Sequence, residues 1–403
     1  MQKKPRVLFP FTEAGMGHIM PMRSIADAFE KKYGHLTEVV RSNFFTESGN
    51  KYMIKFEQKM AEFVRRQNRS RAYSRFSCFN MDFWGVWISS WATMSCYVPG
   101  VRPPSVAYME KLAPDLVVST HWATNYYATK MKNKPITAMY CPDAYICTLF
   151  RYPADLCMVS METGYRHALK KHPVRFNEEN LKLVPFSIRK EAFEVSMATA
   201  ENRRALGWEE NKFTVILVEG GYGIGQMKRI CELLIERDLP INLVPVCGKN
   251  EELYEYFKSL KTGKNISFYP QGFAQNILQM IAASDLFCGK SGNIIAEPTF
   301  FGVPAIITNC ATVIERRIAE YYVDHVGSAV TLFDPIKVAD RIEECLQNPA
   351  LLDGYRARAL AHRENHYGSE AAADYIFSLL VAKYPHLAEE AKAAPEALST
   401  ALS

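Results

Sequence analysis

The strongest constraint on this chain is a buried-strand pattern that runs straight into glycines. Phe213–Val218 (Phe-Thr-Val-Ile-Leu-Val) leads directly into Glu219-Gly220-Gly221-Tyr222-Gly223-Ile224-Gly225, and an amphipathic pattern follows over Met227–Glu236. A short, nearly continuous apolar run is the mark of a strand covered on both faces, as in a parallel sheet between helix layers. The same unit recurs. Arg6–Phe11 precedes Gly15-Met16-Gly17-His18 and a helical pattern over 21–31; Leu116–Ser119 precedes His121; 136–140 precedes Asp143; 156–160 precedes a helical pattern over 162–170. Further strands are expected at 242–247, 266–269, 286–288 and 305–308, with helices at 227–236, 274–283 and from 293. Strands alternating with helices predict a doubly wound α/β architecture.

The chain has 403 residues, more than one core sustains, since single cores stop growing at about 250–300 residues. A polar stretch over 185–212 marks the division. The expectation is an N-terminal domain over 1–190, a second over 191–383 whose last helix can pack back on the first, and an Ala/Glu-rich tail over 384–403. The first apolar run is too short for a secretory signal, and no run approaches the roughly 18 apolar residues of a membrane span. A cytoplasmic protein without a membrane span is therefore expected. Ten cysteines without a Cys-x-x-Cys pair read as buried thiols. The net charge of +5 hides an asymmetry: residues 1–190 hold 28 Lys/Arg against 15 Asp/Glu, a surplus of 13, which leaves −8 for the rest.

Three turns carry candidate chemistry. The 219–225 turn, between a strand and a helix, points backbone N–H groups and the positive helix end at one place, which suits a phosphate or diphosphate; the glycines equally serve a tight turn. A dinucleotide fold needs an acid about 20 residues on, but the next strand ends in Val246-Cys247-Gly248, and this turn has no P-loop Gly-Lys-Ser/Thr. Gly289-Lys290-Ser291-Gly292-Asn293 makes a second such turn, and Glu297 one helical turn on can reach a ribose diol or simply favour the helix dipole. His18 stands at the mouth of the first sheet, where a histidine can act as general base or pack the helix start.

The turns together, with Gln271-Gly272-Phe273, the block Lys290-Ser-Gly-Asn-Ile-Ile-Ala-Glu297 and Phe301-Gly-Val-Pro-Ala305, resemble the GT-B nucleotide-sugar glycosyltransferases. The resemblance is to the monogalactosyldiacylglycerol synthases and processive diacylglycerol glucosyltransferases, and more distantly to the transferase that adds N-acetylglucosamine to lipid I. Thr120-His121, Pro142-Asp143-Ala144 and 152–156 also match the diacylglycerol enzymes, so it covers about residues 5–380. It implies two Rossmann-like domains facing a central cleft and inverting transfer of a hexose from a UDP-sugar without metal or other cofactor. His18 would be the catalytic base. Gly221, Tyr222, Gly223, Gly225, Ser291, Gly292 and Asn293 would hold the diphosphate, Lys290 would bind the donor with them, Phe273 would border the uracil and Glu297 would take the ribose. Gly17, His121 and Asp143 would line the acceptor side, although His121 and Asp143 can equally be strand-end residues satisfying nearby backbone. One departure stands out: where the diacylglycerol enzymes have Gly-Gln-Glu against the hexose, this chain has Val313-Ile314-Glu315. Glu315 is a candidate hexose ligand or an ordinary helix acid beside Arg316 and Arg317.

Residues 51–100 combine Arg65, Arg66, Arg69, Arg71 and Arg75 with Trp84, Trp87 and Trp91. That composition suits an anionic membrane surface; the alternative is that the tryptophans pack into the core. The expected partners are a UDP-sugar, a lipid acceptor and such a surface at the inner face of the cell membrane, with no nucleic acid. A soluble or polyisoprenoid acceptor, and UDP-sugar binding without turnover, are the alternatives.

Overall fold

The computed structural model describes residues 3–12, 16–69, 73, 76, 100–146, 154–220 and 225–399. The described residues form two compact units, one taking those up to 64, 100–189 and 367 onward, the other 65–69, 73, 76 and 190–366.

The first unit is built on β1 (Arg6–Phe11), β2 (Glu38–Asn43), β3 (Leu116–Ser119), β4 (Ile136–Cys141), β5 (Leu156–Val159) and β6 (Leu181–Leu183). They pair in the order β2-β1-β3-β4-β5-β6, every pair parallel. Side chains alternate across a strand, so each strand feeds two cores. Leu8, Val117, Met139, Cys157 and Val159 meet Phe44, Phe45, Met53, Trp122 and Tyr127 on one face. Val7, Phe9, Val118, Tyr140 and Met158 meet Met22, Ile25 and Phe29 of the helix Met16–Tyr33 on the other.

The second unit is built on β7 (Phe213–Val218), β8 (Ile241–Val246), β9 (Ser267–Phe268), β10 (Leu286–Lys290), β11 (Ala305–Asn309) and β12 (Ala329–Thr331). Their order is β12-β11-β10-β7-β8-β9, again all parallel. Counted from β7, this is the 3-2-1-4-5-6 order of a Rossmann fold read from the other edge. Val215, Leu217, Leu243, Cys288 and Ile306 pack against Ile230, Leu234, Phe257 and Ile342.

The strands expected from apolar runs are present. The three that were not expected, β2, β6 and β12, all lie at sheet edges, where shorter or more polar sequences suffice. Several helices were also not expected, among them Glu251–Ser259 and Pro335–Gln347. The chain returns to the first unit at Tyr367. Ser187 and Tyr367 form an antiparallel bridge, and Gly368 donates to the Phe186 carbonyl at 3.2 Å. The helix Gly368–Lys383 then places Ala372, Ala373, Ile376, Phe377 and Leu380 in the first core. Phe377 stacks on Tyr33 at 3.8 Å between ring centroids, and Tyr33 donates to Asp374 at 2.6 Å. The expected tail includes a further helix, His386–Ser399, anchored by buried Leu387. Seven cysteines among the described residues are free thiols, all buried except half-buried Cys310.

Gly368 has no space for a side chain: a Cβ there would lie 1.6 Å from the Pro185 carbonyl oxygen. Gly368→Ala is expected to lower the thermal midpoint by about 5 °C or more, read by circular dichroism. An unchanged melt would show that this contact yields freely.

Candidate functional site

In an open α/β sheet, ligands bind beyond the carboxyl ends of the strands where the strand order reverses. In the first unit that point lies between β1 and β3. β1 leads to the helix bearing Gly17 and His18, both half-buried; β3 leads through Thr120 to His121 and the helix Trp122–Ala128. The two histidines expected to serve catalysis and acceptor binding are therefore brought together, their rings 5.7 Å apart and perpendicular. Thr120 Oγ1 donates to the His18 carbonyl at 2.9 Å, tying the two turns to each other.

His121 caps its own helix. Its Nδ1 accepts the Ala123 N–H at 3.3 Å, so that nitrogen carries no proton and the neutral ring holds its hydrogen on Nε2. Burial, and secondarily the neighbouring His18, pushes its pKa down to about 3. His121 therefore stays neutral within the pair. Asp143 is buried beyond the end of β4, and its backbone oxygen lies against Gly164, where a Cβ would approach it to 3.1 Å.

The corresponding point of the second unit lies between β7 and β10. Gly221, Tyr222 and Gly223 fall outside the described residues, but the base of their turn is defined. Glu219, missed in the sequence reading, is buried at the end of β7 and accepts from Thr308 Oγ1 at 2.6 Å and from the Gln226 N–H at 3.4 Å. A Cβ on Gly225 would lie 1.9 Å from the Glu219 carboxylate, which accounts for the glycine. The side chain of Gln226 donates to the carbonyls of Thr308 at 2.9 Å and Phe333 at 2.6 Å. The visible signal was an acid placed between a buried strand and its glycines.

After β10, Gly292 has φ +149°, a conformation open essentially to glycine alone. Asn293 starts a helical turn that continues into Ala296–Phe300, where Glu297 is buried. Lys290 pairs with Glu315 at 2.6 Å, and Ser291 Oγ donates to the Glu315 carbonyl at 2.6 Å. Glu315 closes a capping box with Thr312, a role the Thr-x-x-Glu spacing announced. Phe273 is exposed beyond β9, with the Lys249 ammonium 5.9 Å from its ring centroid. Gly225, Phe273, Lys290 to Asn293, Glu297 and Glu315 thus lie at or just beyond the carboxyl edge of one sheet.

Arg65 and Arg66 are exposed near the end of the helix Lys51–Arg69. The Arg69 side chain and Trp84, Trp87 and Trp91 lie outside the described residues. Among the described residues no helix is long and apolar enough to cross a membrane.

Two parallel six-stranded doubly wound sheets in one chain define a GT-B fold, and solved structures agree. The chain matches MurG of Acinetobacter baumannii with a TM-score of 0.57 at 13% identity, over 93% of this chain and 99% of that one. It also matches a putative UDP-N-acetylglucosamine 2-epimerase of Listeria monocytogenes with a TM-score of 0.60 at 12% identity, over 95% and 97%. No family model matches the chain. Its sequence resembles glycolipid glycosyltransferases: it is 28% identical over 171 residues to the processive diacylglycerol beta-glucosyltransferase of Bacillus subtilis (strain 168), 42% of each chain. It is 22% identical over 360 residues to a probable chloroplastic monogalactosyldiacylglycerol synthase of Nicotiana tabacum, 84% of this chain and 64% of that one. The first of these matches spans less than half the length of the relative.

Because His121 is neutral in the fold and protonated in the unfolded chain between pH 6.5 and about 3, the unfolded state binds more protons there, and stability falls as pH drops through that window. His121→Asn keeps a cap acceptor and removes the titrating ring. Urea midpoints are expected to fall less from pH 7 to pH 4.5 in this variant than in the parent; equal losses would contradict a buried neutral His121.

Proposed function

We propose that this chain is an inverting glycosyltransferase that moves a hexose from a UDP-sugar to a lipid hydroxyl of the diacylglycerol type at a membrane surface. The observation that carries the reading is the His18–His121 pair at the strand-order reversal of the first sheet. A half-buried histidine beside one that stays neutral is suited to accept a proton from an alcohol. The matches to diacylglycerol glucosyltransferases and to a monogalactosyldiacylglycerol synthase support the lipid acceptor. Two solved neighbours, Anabaena HepE with UDP-glucose and a Neisseria meningitidis epimerase with UDP-N-acetylglucosamine, support a UDP-sugar donor. Epimerases share the fold, and the paired histidines and the sequence relatives support transfer.

In this reading His18 takes the proton of the acceptor hydroxyl as its oxygen attacks the anomeric carbon. The bond from that carbon to the UDP oxygen breaks on the opposite face, and the anomeric configuration inverts. The electron pair leaves with UDP, whose charge is met by Lys290 and by the backbone N–H groups of the turns at 219–225 and 291–293. Glu297 accepts from the ribose hydroxyls, and Phe273 borders the base. Gly17, His121 and Asp143 line the acceptor side. No metal takes part, so transfer persists in EDTA. The exposed Arg65 and Arg66, in a stretch of sequence that also holds Arg69, Trp84, Trp87 and Trp91, would bind anionic headgroups.

A screen of UDP-hexoses with a membrane lipid extract, read by mass spectrometry, is expected to yield a glycosylated lipid. An epimerised or hydrolysed sugar alone, or sugar transferred to water-soluble acceptors only, would sink the lipid reading. His18→Ala is expected to lower transfer at least about 100-fold while leaving UDP affinity unchanged by calorimetry; undiminished transfer would remove His18 as the base. Replacing Trp84, Trp87 and Trp91 together is expected to abolish co-sedimentation with anionic liposomes, and binding that survives would refute the membrane assignment.

A further inference from the structure

The resemblance assigns Glu315 to the donor hexose, but its surroundings commit both carboxylate oxygens. Oε2 accepts the Ala311 N–H at 2.6 Å and the Thr312 N–H at 3.2 Å, while the Glu315 N–H donates to Thr312 Oγ1 at 3.1 Å. Turning this oxygen toward a sugar would uncap the helix Val313–Glu320. Oε1 lies 2.6 Å from Lys290 Nζ, and both side chains are largely withdrawn from water, at 16% and 13% exposure. The backbone is held as well, because Ser291 Oγ donates to the Glu315 carbonyl at 2.6 Å and the Ser291 N–H donates to the Asn309 carbonyl at 2.8 Å. The turn after β10 and the helix after β11 are therefore tied together by side-chain and backbone contacts. The Cys310 thiol beside the pair feels the same field: burial pushes it up to about 12, Glu315 adds to the rise, and Ser291, Arg316 and Lys290 oppose it.

We propose that Glu315 is the resident counter-ion of Lys290, and that an incoming nucleoside diphosphate competes with this carboxylate for the same ammonium. Glu315 then sets how tightly the diphosphate end of any donor is held, and it does not read the hexose. The inference rests on the donor reading above, in which Lys290 meets the diphosphate. Two like charges a few ångströms apart in a partly desolvated site repel strongly, so a fixed carboxylate beside the ammonium weakens every ligand bearing a diphosphate by the same factor. Such a site releases its nucleoside diphosphate readily, which a transferase that turns over must do. Specificity for the sugar then falls to other groups.

The test is calorimetric titration of the full chain with UDP and with UDP-glucose, or whichever UDP-hexose the lipid screen selects. Glu315→Gln keeps an acceptor for the two capping amides and removes the charge, and thermal melting checks that the fold is retained. It is expected to bind UDP about tenfold more tightly and the UDP-hexose by a similar factor. Lys290→Met is expected to bind both about tenfold more weakly, and it stands as an independent test should Glu315→Gln fail to fold. A Glu315→Gln variant with unchanged UDP affinity and weakened UDP-hexose affinity is the signature of a sugar ligand and overturns the proposal. Weakening of both ligands, or unchanged UDP affinity in Lys290→Met, overturns it too. If the unmodified protein binds neither ligand, the donor reading itself fails and this inference falls with it. Binding of UDP by the parent with no gain in Glu315→Gln removes the counter-ion role alone.

Discussion

A parallel sheet covered by helices on both faces leaves its polar chemistry few places to go. Its strands are buried along their length, so polar side chains gather where the strands end and the backbone turns toward a helix. In both units the candidate residues obey this constraint. His18 and His121 follow β1 and β3, while Glu219, Phe273 and the Lys290 to Glu297 segment follow β7, β9 and β10. Helix N-termini in these places supply unpaired N–H groups, and the reversal of strand order opens the space beside them. The alternation that builds the two cores of the first sheet therefore also determines where a ligand could be met.

The two edges differ in electrical character. The described edge of the first unit carries a histidine held neutral by burial beside a second histidine. The edge of the second unit carries Glu219, Glu297 and Glu315 with Lys290 and Lys249. In the proposed reading, the first edge would meet the acceptor alcohol and the second the nucleotide. The excess of basic residues in the first half of the sequence is a separate property that concerns the surface more than either edge.

Much of the fold was legible because buried central strands write themselves as apolar runs. Phe213–Val218 and Leu116–Ser119 could hardly be anything else. β2, reading Glu-Val-Val-Arg-Ser-Asn, and the three-residue β6 and β12 gave no such run, because an edge strand packs on fewer neighbours. That the last helix can return to the first unit was legible, but not what fixes it there: a close backbone approach at Gly368 and a stack of Phe377 on Tyr33. At the site, glycines and histidines at strand ends were visible, but partners were not. That His121 caps its own helix and that Glu219 fills the space under Gly225 are near relations that the residue types alone did not single out, and that Glu315 faces Lys290, 25 positions away, is one no local pattern carries. Thr312-x-x-Glu315 is the exception, since a capping box is local by construction.

The return of the chain at Tyr367 also bears on the order in which the protein can be made. The first sheet lies within residues 6–183, yet Ala372, Ile376, Phe377, Leu380 and Leu387, which cover one of its faces, are made only after residues 190–366. Until they arrive, the helix Met16–Tyr33 is the early helix that, among the described residues, shields that face, while the described core of the second unit is drawn from residues 213–352. The unit whose synthesis begins first is therefore the one that finishes folding last, reversing the usual N-to-C order of domains on the ribosome. Its exposed face must be kept from wrong partners while residues 190–366 are being made.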